Sequence, residues 1–400
     1  MVSEVPAEEY ASVPGRAVWC VYELGAVAER DYSPADMPRH LCSVFVCAYA
    51  TLVRRGRLAP RDSYQATFFP YKRTVGCLEQ SKKNSVKNTR TQLPSCPVRI
   101  EHIHSSTLWA ADAVKNLQSV ARDPRRDVYL ALAGPGTPHG VASETASSTR
   151  YRTQLCEHLE DVLEDLDLQG ALFHWPSPYR DTLWDAVVAR QFVGAMETCL
   201  GAFSKKMALV VPENELERKH FFPFIDGTRL SYNVVFWTHE LHKKPGSDTM
   251  AHCAVNLPQI VNLQADLKKT APALHNQAVV TASLRALQFH LLVTEGPNKL
   301  SRVEPTKTRT LPYTAVCRET VPNQSQWHWS MSKEDGCVHG TYQNQWMASI
   351  HDASDIYFAN FTTGVAIFDM AYDDFQGVCG QKHPLTTMIV RGLNISHIIH

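Results

Sequence analysis

Eight short apolar runs rich in β-forming residues recur along the 400-residue chain, at 17–23, 42–51, 127–133, 169–175, 207–213, 232–237, 286–293 and 364–370. Helical or loop segments separate them. Most are apolar throughout rather than alternating, as in LCSVFVCAYA, DVYLALA and MALVVPE. A strand that is apolar on both sides must be covered on both sides, the condition of a parallel sheet wrapped by helices. Eight such strands with intervening helices are what a closed (β/α)8 TIM barrel requires. The expected fold class is therefore α/β, a (β/α)8 barrel.

Two stretches interrupt the βα rhythm. The segment 69–105 is polar and basic (Lys72, Arg73, Lys82, Lys83, Lys87, Arg90) and reads as a long surface excursion after the second strand. The spacing of Cys77 and Cys96 within it suits a local disulfide. The segment 296–347 is rich in Pro, Thr, Gln, Trp and Tyr without helical period, and is expected to form a small α+β insertion subdomain between strands seven and eight. The expected organisation is a tail at 1–14, barrel at 15–295, insertion at 296–347 and barrel again at 348–400. Before the fourth strand, LCEHLEDVLEDLDLQ places Leu155, Leu159, Val162, Leu163 and Leu166 at helical spacing. Its acids (Glu157, Glu160, Asp161, Glu164, Asp165) fall on the opposite face and are expected to be solvated.

Lysine plus arginine and aspartate plus glutamate balance at 40 each. No overall field steers the chain toward nucleic acid or an anionic membrane, so a partner must be recognised locally. No apolar run reaches the ~20 residues a membrane helix needs, and membrane insertion is not expected. The eleven cysteines form no CxxC pair, which removes zinc-ribbon and thioredoxin readings and favours disulfides in a secreted protein. The odd count leaves at least one thiol free or paired between chains. P-loop, G-x-G-x-x-G, HExxH and G-x-S-x-G elements are missing from suitable strand–turn positions, and no cofactor is expected.

Five ordered stretches carry more specific information. The opening VWCVYELGAVAERDYSPADMPRHLCSVFVCAYATL, LALAGP at 130–135, LQGALFHWPSP at 168–178, THELH at 238–242, and YQNQWMASIHDASDIYFANFTTGVAIFDMAYDDFQGVCG at 342–380 together resemble the chitinases of glycoside hydrolase family 18. The last contains Asp373, Asp374, Phe375, Gly377, Cys379 and Gly380, in the places of the family's D-D-F-x-G-x-C-G. The resemblance spans residues 15 to 380 and is thin at 69–105 and 256–312. It implies the barrel and insertion already expected, with disulfides Cys20–Cys42 and Cys317–Cys379; the pairing of Cys47, Cys156, Cys199, Cys253 and Cys337 stays open.

It also implies where chemistry would sit. In the family, a fourth-strand glutamate protonates the glycosidic oxygen, and the adjacent aspartate orients the substrate's own acetamido group as nucleophile. Residue by residue, that glutamate becomes Pro176, the neighbouring aspartate His174, and the two earlier aspartates Leu172 and Gln169. Every acid of the motif is replaced, and loss of general acid catalysis alone costs about 10²–10⁴ in rate. The expectation is a catalytically inactive chitinase-like protein. Strand-end tryptophans that stack sugar rings become Gly25, Pro135 and Phe368, and the tyrosine and aspartate that grip the acetamido group become His239 and Glu240. Trp175 persists, which in the family is largely framework. Ligand-binding candidates are Trp175, His239, Glu240, Phe368 and Tyr22. A short glycan of chitin or N-acetylglucosamine type, or a protein, is the expected partner.

His239, His242, Glu240 and His174 could approach one another at the barrel mouth, but such residues more simply fill a retired active site, and no metal is expected. His102 and His104 read as surface or edge residues. The basic stretch from Lys82 to Arg90 could meet sulfated glycans or acidic partners, but a solvated loop is the favoured reading. Asn323, Asn360 and Asn394 begin N-x-S/T sequons and are candidates for glycosylation. Two other functional classes stay open: an enzyme with relocated acid/base chemistry among His174, His239 and Glu240, and a structural protein of an extracellular matrix.

Overall fold

The computed structural model describes residues 17–23, 30–53, 57–60, 119, 126–134, 139–174, 183–211, 232–239, 257–270, 272–275, 278–290, 309–320, 328–332, 337–342, 345–349 and 364–395. The segments between these lie outside the described residues, among them Cys77, Cys96, Cys253, Asn323, Asn360 and most of 54–125.

Eight parallel strands close into a barrel. They are β1 (Val18–Glu23), β2 (Val44–Val53), β4 (Asp127–Ala133), β5 (Gly170–His174), β6 (Lys206–Val211), β7 (Asn233–Phe236), β8 (Ala278–Ser283) and β14 (Gly364–Phe368). The order β1-β14-β8-β7-β6-β5-β4-β2 is completed by the pairing of β1 with β2, so the eight-stranded ring has no free edge. A short antiparallel strand, β3 (Arg57–Pro60), pairs with the far end of β2.

The continuous apolar runs follow from two-sided burial. On β1, Trp19 and Val21 point into the barrel while Cys20 and Tyr22 point out toward the covering layer. Leu172 on β5, Val210 on β6, Val235 on β7 and Phe368 on β14 fill the interior; Phe173, Leu209, Phe236 and Ile367 face outward. Strand alternation is broken on β2, where Ala48 and Tyr49 both join the interior cluster. The register of β2 against β4 shifts between Cys47 and Ala50, and such an irregularity re-aims the side chain beside it.

Helices α1 (His139–Ser147), α2 (Thr149–Asp165) and α3 (Leu183–Ala202) stand between β4 and β6, and α4 (Leu257–Thr270) and α5 (Pro272–His275) precede β8. Helix α2 is the amphipathic helix expected: Leu155, Leu159 and Leu163 are buried, and Glu157, Glu160, Asp161, Glu164 and Asp165 are exposed. Ser148 caps it by accepting from the Tyr151 N–H.

The expectation of a seventh barrel strand at 286–293 is corrected. The strand between β7 and β14 is β8, Ala278–Ser283, and the more apolar run after it forms β9 (Ala286–His290) of a separate antiparallel sheet. That sheet has the order β10-β9-β13-β12-β11, with β10 (Arg309–Leu311), β11 (His328–Ser332), β12 (Cys337–Tyr342) and β13 (Gln345–Ser349); α6 (Tyr313–Thr320) follows β10. Two residues separate β8 from β9, and hydrophobicity alone favours the wrong one because Thr281 and Ser283 interrupt β8. Pairing partners, not composition, decide which run closes the ring.

Cys20–Cys42 and Cys317–Cys379 are joined as the family resemblance implies. A third bridge, Cys156–Cys199, ties α2 to α3. Cys47 is a free, buried thiol that burial pushes up to about 12, so it is inert at neutral pH. Replacing Cys156 and Cys199 together by serine opens a 43-residue loop and is expected to cost about 2–4 kcal/mol. Urea unfolding of the double variant, with non-reducing peptide maps of the parent, measures this; an unchanged midpoint would show that the bridge contributes nothing.

The D-D-F-x-G-x-C-G signature is architectural. Asp374 accepts from the N–H groups of Val378 (2.8 Å) and Cys379 (2.6 Å), tightening the loop in which Gly377 and Gly380 hold φ of 76° and 125°. Asp373 accepts from Leu385 N (3.2 Å), Thr386 N (3.0 Å) and Thr386 Oγ1 (2.7 Å), placing a carboxylate at the start of α7 (Pro384–Ile395). Asn394 falls on that last helix.

Beside this cap, burial lowers the His383 imidazole below its ordinary range despite the nearby Asp373, and burial with Arg126 lowers His40. Burial raises the Asp373 carboxyl, which acts on stability in the opposite sense to the histidines. A histidine whose folded value is lowered binds more protons when unfolded, so stability is lost as pH falls through its unfolded value near 6.5. The Tm is expected to drop between pH 7.5 and 5.5, and His383→Gln should flatten that slope. A slope unaltered by the substitution would assign the effect elsewhere.

Candidate functional site

Ligand sites of (β/α)8 barrels lie at the C-terminal ends of the strands. Here those ends carry a packed set of rings. His174, the last residue of β5, shares a 2.9 Å hydrogen bond between its Nδ1 and the Tyr49 hydroxyl. Its ring lies 4.4 Å from Trp237, which follows β7. Trp237 in turn lies 4.1 Å from His239 and 4.9 Å from Phe368, and His239 lies 5.0 Å from Phe368. Every one of these rings is at least 92% buried.

His239 is anchored from beneath. Thr281 Oγ1 lies 2.9 Å from His239 Nδ1 and accepts from the Thr238 N–H at 2.7 Å, while the Thr238 hydroxyl donates to the Thr281 carbonyl at 2.7 Å. The Nδ1 atoms of both histidines are thus engaged with hydroxyls, and Trp237 packs against both rings. Among the described residues no group of three His, Cys, Asp or Glu side chains could hold a metal ion.

Of the positions that the resemblance sets against the family's acids, the described ones, Gln169, Leu172 and His174, separate in space. Gln169 precedes β5 at the opposite end of the barrel, where its Oε1 accepts from Val128 N (2.8 Å) and its Nε2 donates to the Asp167 carbonyl (2.9 Å). Leu172 is 2% exposed inside the barrel. Only His174 reaches the mouth; Trp175, Pro176 and Glu240 lie outside the described residues. Phe368 and His239 come together with His174 through Trp237. Tyr22 does not join them: it faces outward, its ring 6.0 Å from Tyr32, and burial holds its hydroxyl far above its ordinary range. The reason is parity, because Tyr22 is one residue out of step with Trp19 and Val21 on β1.

Tyr49, Trp237 and Thr281 were not singled out in the sequence as site residues. Trp237 is recoverable by counting alternate positions along β7; Thr281 is recoverable only once 278–283 is recognised as the barrel strand. Tyr49 is not, because the irregularity in β2 inverts the count.

A second cluster occupies the neighbouring rim. Asp369, directly after β14 and in the left-handed region (φ 61°), accepts from Ser283 Oγ at 2.5 Å and pairs with Arg285 Nη2 at 2.5 Å. Glu23, at the end of β1, lies 3.9 Å from the same guanidinium. Burial opposes the charge on Arg285, but Asp369 and Glu23 outweigh it and raise its value. Carboxylates therefore exist at this mouth, but on β1 and β14 rather than on the fourth strand.

No protein-family model matches the sequence, and no curated protein matches it. Solved structures do resemble the fold. A Group IV chitinase of Ostrinia furnacalis in complex with allosamidin superposes with a TM-score of 0.72 at 14% identity, covering 95% of this chain and 99% of that one. An immunomodulatory active chitinase from Trichuris suis gives 0.65 at 12% identity, over 94% and 98%. The chitinase-like agglutinin of Robinia pseudoacacia gives 0.64 at 12%, over 94% and 99%. The chain has the (β/α)8 barrel fold of these chitinases and chitinase-like proteins.

Proposed function

We infer that this chitinase-fold chain is a non-hydrolytic, secreted protein that binds a short glycan or a protein partner. One observation carries the reading: the described end of β5, where the family's acids would stand, presents Leu172 sealed in the barrel and His174 bonded to Tyr49 and packed on Trp237. Leu172 has no proton to donate, and His174, its Nδ1 held by the Tyr49 hydroxyl, is not the carboxylic acid that the family's route requires. The nearby Asp369 is committed to Ser283 and Arg285.

The buried state of Phe368 and Trp237 argues against a chitin fibre stacked on these rings, since a sugar ring stacks only on an aromatic face it can reach. Three disulfides support an oxidising compartment, and no helix among the described residues is long and apolar enough to cross a membrane. Asn323, Asn360 and Asn394 are proposed glycosylation sites.

A glycan array combined with a pulldown on insoluble chitin tests the reading. Retention of N-acetylglucosamine oligomers on the array, with little retention on the fibre, is expected. Capture on chitin that free chito-oligomers compete away would instead restore a chitin lectin, and release of reducing ends from the fibre would overturn the non-hydrolytic reading.

A further inference from the structure

A guanidinium stacked on an aromatic ring is held through its π face and keeps its in-plane N–H donors for another partner. Arg30 is in that position, its guanidinium carbon 3.6 Å from the centroid of the Tyr372 ring. Arg285 approaches the same ring at 5.1 Å. Two cations are thus gathered at one side chain. The carboxylates described there both address Arg285, Asp369 at 2.5 Å and Glu23 at 3.9 Å. Among the described residues no carboxylate lies in ion-pair range of Arg30. The Nε atoms of both arginines are buried without a hydrogen-bond partner among the described residues.

Position adds a second line of argument. Arg30 lies beyond the C-terminal end of β1, Arg285 beyond that of β8 and Tyr372 beyond that of β14, three strands adjacent in the barrel. The cluster therefore sits on the rim where barrels of this type receive their ligands. Arg30 is half-buried and the Arg285 side chain is 35% exposed, so both reach solvent.

We propose that Arg30 and Arg285 form a binding site for an oxyanion carried on a saccharide, the sulfate or carboxylate of an acidic oligosaccharide. The proposal rests on the glycan-binding reading above and specifies its ligand. Hydroxyl groups of a neutral sugar would leave the positive charge of Arg30, which meets no carboxylate among the described residues, uncompensated, whereas an oxyanion accepts two parallel N–H bonds from one guanidinium.

Calorimetric titration of the full chain with a sulfated tetrasaccharide, a uronic-acid tetrasaccharide, chitotetraose and inorganic sulfate tests it. One of the two acidic tetrasaccharides is expected to bind, more weakly as salt is raised, and which one identifies the oxyanion. Arg30→Gln should weaken that binding about tenfold or more, and Arg30→Lys, which keeps charge without the planar fork, by less. Lys268→Gln, on an exposed face of α4, should leave it unchanged. Thermal melts establish that each variant folds; if Arg30→Gln does not, Arg30→Lys carries the comparison. Acidic probes bound equally by wild type and the Arg30 variants, or chitotetraose bound alone, would overturn this site and leave the glycan reading standing. Inorganic sulfate bound as tightly as the tetrasaccharide would overturn the saccharide assignment, and a chain that binds none of the probes would overturn both.

Discussion

Wild-type protein is expected to leave a fluorogenic chitobioside intact, at the rate of a heat-killed control. Family chemistry needs a proton donor at position 176 and a carboxylate at 174 to orient the acetamido group, and this chain has Pro176 and His174 there. Their combined loss corresponds to at least about 10²–10⁴ in rate. Pro176→Glu alone should restore nothing, because His174 stays bonded to Tyr49 and Leu172 stays inside the barrel. Pro176→Glu with His174→Asp and Leu172→Asp is the minimum for trace turnover. That variant should also melt earlier, since Leu172 is 2% exposed and an aspartate there buries a charge or an unpaired carboxyl among Val210, Ala208 and Ala131. Wild-type hydrolysis abolished by Glu240→Gln would sink the non-hydrolytic reading and promote an enzyme with a relocated acid.

Asp369→Ala is expected to be the most destabilising single substitution at the barrel mouth. It leaves the partly exposed Arg285 guanidinium without its 2.5 Å partner, and the buried Ser283 hydroxyl without its acceptor. Removing one member of a fully buried pair typically costs about 3–5 kcal/mol, and because the Arg285 side chain is 35% exposed the loss here is expected at about 2–3 kcal/mol. Exchanging the pair for an apolar one, Asp369→Leu with Arg285→Met, should recover much of that loss. Equilibrium urea unfolding of the single and double variants reads the difference; a single variant within about 0.5 kcal/mol of wild type would show that the pair is solvated and structurally idle.

How legible was this molecule? Barrel class was readable because a strand covered on both faces must be apolar at every position, and that pattern survives without any knowledge of partners. Helix α2 was readable for the equivalent reason at period 3.6, with Leu155, Leu159 and Leu163 buried and the acids out. Cys20–Cys42 and Cys317–Cys379 were implied by the family resemblance, and Asp373 and Asp374 stood out in the D-D-F-x-G-x-C-G motif. That Gln169, Leu172, His174 and Pro176 are not acids was likewise legible, since it is a matter of residue identity.

Tertiary structure alone decided the rest. Whether 278–283 or 286–293 closes the ring depends on which run finds parallel neighbours in β7 and β14, a contact between distant segments that hydrophobicity does not encode. The inward turn of Tyr49 depends on a one-residue irregularity in β2, and a one-residue shift moves a side chain to the other face of the sheet. The same parity sends Tyr22 outward. Asp369, Ser283, Arg285 and Glu23 come from three strands far apart in the chain, and their ion-pair cluster exists only because closure brings those strand ends side by side. Sequence determines each residue's chemistry and the period of its burial; closure of the ring determines which of those chemistries meet.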